Sequence, residues 1–178
     1  MKRIFALAVA TGMAAVSPMG SVRAQSSGDA VVKTLTQPRF LSLKSDKVNV
    51  RSGPGLQYPI AWVFRRIGMP VEVLREFENW RQIRDSDGAL GWVYRGLLAG
   101  RRTALIVPWQ AADKDATAIA IQVRANLGSG VVAFAEPGTI ANVRQCDGQW
   151  CRVIVEPYEG WIEQAKLWGV YENERFKP

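Results

Sequence analysis

Val48-Asn49-Val50-Arg51-Ser52-Gly53-Pro54-Gly55 decides how this chain is read. Val48 to Val50 alternates apolar with polar residues, the pattern of a half-buried strand. Pro54-Gly55 then suits a type II turn, in which proline presets φ and glycine accepts φ > 0. A weaker copy follows at Ile121-Gln122-Val123-Arg124-Ala125-Asn126-Leu127-Gly128. Each copy opens the same series of landmarks. Gly68, Pro70 to Val73, Trp80, Ile83 and Gly91-Trp92-Val93 in the first answer to Gly138, Ile140 to Val143, Trp150, Val153 and Gly160-Trp161-Ile162 in the second. The offset drifts from 73 (Val50 to Val123) through 70 (Trp80 to Trp150) to 69 (Trp92 to Trp161). Fixed strands with loops that shorten are the mark of a duplicated module.

Working outward, short strands recur at Ile60 to Phe64, Val71 to Leu74, Trp80 to Arg84 and Leu90 to Tyr94, separated by glycine-rich turns. This spacing predicts a small all-β barrel or sandwich, repeated once. Residues 39–107 form the first module, with Thr103 to Val107 read as a strand that closes it or bridges to the second. The polar segment 108–117 is the expected linker. Residues 118–172 form the second module, and 173–178 a fraying tail. Ahead of the repeat, Lys2 and Arg3 precede an apolar run of 13 residues, Ile4 to Val16, and Val22-Arg23-Ala24 follows. That is the form of a secretory signal over residues 1–24, too short to span a bilayer, which predicts a periplasmic or secreted protein with no anchor after cleavage. Residues 25–38 are polar and aperiodic, the expected flexible leader.

Without residues 1–24 the balance is 20 basic against 16 acidic residues. So modest an excess favours anionic envelope polymers and gives no basic stripe for nucleic acid. Arg65-Arg66 and Arg101-Arg102 read as solvated loop charge. In an oxidising compartment Cys146 and Cys151, on either side of Asp147-Gly148, read as a disulfide across a hairpin. The rival reading, a reactive thiol, needs a base or a cation beside it.

The chain has no histidine. The usual Ser-His-Asp, Cys-His and His-metal arrangements are therefore excluded. The carboxylates Glu76, Glu78, Asp85 and Asp87 fall near predicted turns and lack the facing geometry of a glycosidase. Gly128-Ser129-Gly130 lacks the lysine of a phosphate-binding loop. No cofactor or metal is expected, and the chain reads as non-enzymatic.

Strand parity locates the candidate recognition surface. If Ile83 and Val93 fill the first barrel, Trp80 and Trp92 point to its other side, and Trp150 and Trp161 do so in the second. Trp80, Trp92 and Tyr58 then make a shallow aromatic groove in which Arg51 or Arg81 meets a carboxylate. The alternative is that these tryptophans cover barrel ends or pack module against module.

Asn49-x-Arg51-Ser52-Gly53-Pro54-Gly55, the glycine-proline turn, the Trp80-x-x-Ile83 strand and Gly91-Trp92-Val93 together resemble the bacterial SH3 domain family. The second copy resembles a variant with cysteines flanking Trp150. The resemblance implies two tandem SH3-like barrels acting as non-catalytic modules on cell-wall peptidoglycan, peptide or glycan. A second reading is a protein-interaction adaptor or regulator of an envelope enzyme. Ala125-Asn126-Leu127 stands where the first copy has Ser-Gly-Pro, so the second opening loop is expected to have lost a binding role.

Overall fold

The computed structural model describes residues 31–110 and 117–177. The expected signal segment 1–24 lies outside the described residues. The strands are β1 (Lys33–Leu43), β2 (Val48–Arg51), β3 (Ile60–Phe64), β4 (Pro70–Phe77), β5 (Trp80–Arg84), β6 (Leu90–Tyr94), β7 (Leu98–Ala99) and β8 (Thr103–Ile106). They continue as β9 (Ile119–Gln122), β10 (Val131–Ala135), β11 (Ile140–Asp147), β12 (Trp150–Val155), β13 (Tyr158–Glu163), β14 (Leu167–Trp168) and β15 (Arg175–Phe176). Two sheets result, in the orders β3-β2-β6-β5-β4-β1-β7 and β10-β9-β13-β12-β11-β8-β14. The second order is the first advanced by seven strands throughout. The all-β duplicated architecture expected from the sequence is present.

Alternating strands place every second side chain inside. Val48, Val50, Val71, Val73, Ile83, Val93, Leu43 and Leu98 close the first core. Ile106, Ile121, Ala141, Val143, Val153, Ile162 and Leu167 do the same in the second, together with both cysteines. The recurring glycines have two separate causes. Gly68 and Gly138 both adopt φ of +76°, a left-handed conformation glycine takes without a side-chain penalty. Their N–H groups donate to Leu43 O at 2.9 Å and Ile106 O at 2.7 Å. Gly91 and Gly160 instead allow close approach. A Cβ on Gly91 would lie 2.3 Å from Val50 Cγ1, and one on Gly160 2.6 Å from the Gln122 carbonyl oxygen.

Three boundaries differ from the expectation. First, β8 closes the second module, because Thr103, Ala104 and Leu105 pair with β11 and β14. It is the counterpart of β1, so the module junction falls near Gly100 to Arg102 and the expected linker 108–117, of which 111–116 lie outside the described residues, falls in sequence between two strands of the second module. Leu43 answers to Ile106 at an offset of 63, and Arg51 answers to Gln122, each opposite a Gly-Trp tryptophan, at an offset of 71, so the connection after β8 is eight residues longer than that after β1. Buried Val50 thus corresponds to buried Ile121, and the expected counterpart Val123 is exposed. Periodicity identified the strand but cannot assign its partner. Second, the expected leader is ordered from Lys33, pairing with Glu76 on β4, and a register shift between Thr34 and Arg39 absorbs the polar stretch. Third, the tail is tied down. Arg175 and Phe176 pair with Asp147 and Cys146, and Glu174 grips Arg102 at 2.8 and 2.9 Å.

Cys146 and Cys151 form the disulfide, directly opposite one another on β11 and β12 with Cα atoms 4.1 Å apart. The modules touch. Phe40 meets the rings of Trp168 and Tyr171 at 5.1 and 4.8 Å, and Arg66 donates to Gly138 O at 3.0 Å. Of the two arginine pairs read as solvated charge, Arg66 and Arg102 are structural clasps.

Candidate recognition grooves

The parity argument holds for the interior: Ile83, Val93 and Val153 are fully buried and Ile162 nearly so. The tryptophans opposite them are not open platforms. Trp80 and Trp92 are only 9% and 7% exposed. Trp80 packs edge-on against Tyr94, its cross-strand neighbour, with centroids 5.8 Å apart. Together they wall a groove of about 690 Å³ between the opening loop, Pro54 to Gln57, and the β4–β5 turn, Phe77 to Asn79.

The other expected members have different roles. Arg51 Nη1 donates to Leu56 O at 3.2 Å and Tyr58 O at 2.6 Å, so its guanidinium braces the opening loop from beneath. Arg81 is held by Glu76 at 3.1 Å and donates to the carbonyls of Glu78 and Trp80, leaving its side chain 12% exposed. The Tyr58 ring lies over Gly53, where a Cβ would come within 2.4 Å of it. Trp92 lies on a cross-strand row with Arg51 and Gln82. None of these four lines the groove, and no arginine does. The tip aspartates are structural too: Asp85 Oδ1 accepts from the Asp87 and Ala89 amides, and Asp147 Oδ1 from Gln149 and Trp150.

An equivalent groove exists in the second module and is larger, about 810 Å³. Its walls are again the opening loop, Ala125 to Leu127, and the hairpin turn, Gly148 to Trp150, with Glu163, Gln164 and Ala165 closing one end. The loss of Ser-Gly-Pro thus did not remove the concavity. The lengthened loop after β8 adds a wall of its own. It carries a 3₁₀ turn, Pro108–Gln110, that brings Trp109 to the groove. Trp109 and Leu127 are 60% and 69% exposed, unusual for large apolar side chains. Sequence reasoning passed over Trp109 because a lone tryptophan in a polar segment has no periodic context. Gln164, also on the lining, is buried; its Nε2 donates to Tyr171 O and Glu174 O, while its Oε1 has no partner among the described residues.

Among the described residues neither groove is lined by a basic side chain; Glu78, Asn79 and Gln57 serve the first, and Glu163, Glu172, Asn126, Gln149 and Asn173 the second. Carboxylates and amides beside indole rings suit hydroxyl and amino groups on a ligand, not the carboxylate expected from the arginines. Among the described residues no group of three or more His, Cys, Asp or Glu could hold a metal ion.

The same two segments are recognised by a family model. The bacterial SH3 domain model matches residues 44–100 and again 116–169. The chain belongs to the bacterial SH3 domain family. Among curated proteins it is similar to "Putative N-acetylmuramoyl-L-alanine amidase YrvJ" of Bacillus subtilis (strain 168), at 28% identity over 123 residues. That match takes in 67% of this chain and only 24% of the relative, so the chain spans about a quarter of its length. Two solved structures from Trichomonas vaginalis, NlpC2 and NlpC1, are similar at 14% and 15% identity, both with a TM-score of 0.33. They align with 76% and 75% of this chain and with 49% and 46% of their own. The second family segment begins after β8, so this bacterial SH3 domain carries its first paired strand ahead of the matched residues.

Proposed function

We propose that this protein is an exported, non-catalytic binding protein whose tandem modules recognise cell-wall peptidoglycan. The observation that carries the reading is the recurrence of one groove, built from the same loop and the same hairpin turn, in both modules. Duplication of a concavity that keeps exposed apolar side chains points to a repeated ligand. A named cell-wall amidase among the relatives, and a disulfide suited to an oxidising compartment, support the cell-wall and extracytoplasmic parts of the reading. The grooves' amide and carboxylate lining favours sugar hydroxyls or amino groups of the polymer.

The non-catalytic part rests on chemistry. There is no histidine, and both cysteines are joined. Of the two acids on the larger groove among the described residues, Glu163 is paired with Lys166 and Glu172 is exposed. Glycoside hydrolysis needs one carboxyl kept protonated by burial, facing a second across the bond.

Retention on purified sacculi tests the proposal. Trp109→Ala with Leu127→Ser, both at exposed positions, should lower retention about tenfold, equivalent to about 1.4 kcal/mol. Leu56→Ser reports on the first groove in the same way. Absence of wild-type retention, or variants that bind like wild type, would refute it.

One observation favours a second reading, a protein-interaction adaptor. β10 is an edge strand whose Val131, Val132 and Phe134 are exposed, a surface on which another chain can add a strand. On that reading a protein partner is captured from envelope extracts while clean sacculi are not bound.

A further inference from the structure

A cavity separate from both grooves is lined by cations. It measures about 500 Å³ and is bounded by Arg101, Arg102, Asn142, Val143, Arg144, Phe176 and Lys177. Three chain segments converge on it: the module junction, the middle of β11, and the end of the tail, which β15 fastens beside β11. We propose that this cavity binds a phosphate ester.

Basic side chains meet there with no carboxylate on the lining among the described residues. Arg39, Arg81, Arg84, Arg152 and Lys166 all have a carboxylate partner. Among the described residues Arg101, Arg144 and Lys177 are exposed with no carboxylate within 4 Å, and no acid lines the cavity. The fourth cation, Arg102, is neutralised by Glu174 and stacked on Phe176 at 4.7 Å, which fixes that wall. The Arg101 guanidinium lies over Gly68 of the first module, where a Cβ would be 2.9 Å from its Nη2. Three cations around one cavity repel each other, and an anion placed among them removes that repulsion. Guanidinium forks match phosphate oxygens bidentately, and an ammonium adds a point charge. The cavity is larger than a bare phosphate fills, and the Phe176 ring gives the organic part of an ester an apolar surface.

The ester can be soluble or carried on a lipid headgroup, and the test separates these sources. Binding of glycerol phosphate to the full chain is measured by titration calorimetry, and of phosphatidylglycerol vesicles against phosphatidylcholine vesicles by co-sedimentation, at low salt. We expect wild type to bind at least one phosphate-bearing probe. Arg101→Gln with Arg144→Gln should weaken that binding at least about tenfold, with an unchanged melting temperature. The control pair Arg75→Gln with Arg124→Gln removes the same charge from exposed sites outside the cavity and should change binding less than about twofold. Binding to glycerol phosphate points to a soluble or polymer-borne ester, and binding to the anionic vesicles alone to a headgroup. No binding by wild type, or equal loss in both pairs, overturns the site. Because neither pair touches the grooves, sacculus retention reports separately on the function proposed above.

Discussion

Tyr171 Oη donates a 3.0 Å hydrogen bond to Oε1 of Glu72, joining the second module to the first across 99 residues of sequence. Glu72 is 3% exposed, and its other carboxylate oxygen is held by Arg84. The Tyr171 ring also rests against Phe40. One phenol therefore closes a polar network and an aromatic contact at the same seam.

Tyr171→Phe keeps the ring and removes only the donor, so it isolates the hydrogen bond. A buried carboxylate oxygen left without its partner should cost about 1–3 kcal/mol. Urea denaturation should show this loss with both modules present. An unchanged midpoint would mean that the seam contributes nothing to stability.

The same phenol makes a pH prediction. Burial, and then the neighbouring charge of Glu72 and the bond to it, raise the Tyr171 pKa above the ordinary phenol value of about 10. A raised folded pKa means that the contribution is complete below the ordinary value and is lost as pH climbs through the folded one. Stability should fall in alkali above about pH 10, and Tyr171→Phe should remove part of that fall. Phenolate absorbance should show one of the four tyrosines titrating late.

Glu174 gives the opposite limb. Burial acts to raise its pKa, but the Arg102 fork, the Tyr171 amide and the Arg102 charge outweigh it and hold the carboxyl below its ordinary range. A depressed folded pKa gives stability that is present above the unfolded value, about 4.3, and lost as pH falls through the folded one. The protection factor of the Phe176 amide, its exchange relative to the intrinsic rate at the same pH, should therefore fall in acid, and Glu174→Gln should lower it already at neutral pH. Equal protection in the variant would refute the clasp.

Removing the cross-link with Cys146→Ala and Cys151→Ala should destabilise the second module by about 2 kcal/mol, the loop-closure value for so short a ring. Exchange protection should drop in β11 and β12 and stay unchanged in β4 and β5. A loss spread equally over both modules would mean that they unfold as one unit.

Two glycine replacements test the distinction between close approach and turn conformation. Gly160→Ala puts a methyl group against the Gln122 carbonyl and should cost about 1–3 kcal/mol or more. Gly88→Ala meets nothing within 4 Å and pays only for its φ of +85°, about 1 kcal/mol. A reversed order, read from melting temperatures, would contradict the geometry.

The sequence by itself determined the strand alternation, the duplication, the disulfide pair and most of the aliphatics that fill each core, because these follow from local period and spacing; the exposed Val123, aligned with core Val50, is the exception. Val48, Ile83 and Val153 were inside as soon as their strands were placed. Tertiary structure alone decided which sheet takes β8, since a strand's sequence does not encode its hydrogen-bonding partner. It also decided the fate of the arginines. Arg51 and Arg81 meet loop carbonyls that no pattern advertises, whereas Arg101 and Arg144 are brought together by the pairing of β8 with β11, and the tail adds Phe176 and Lys177. Long side chains go where partners lie in space, and that depends on contacts between residues far apart in the chain.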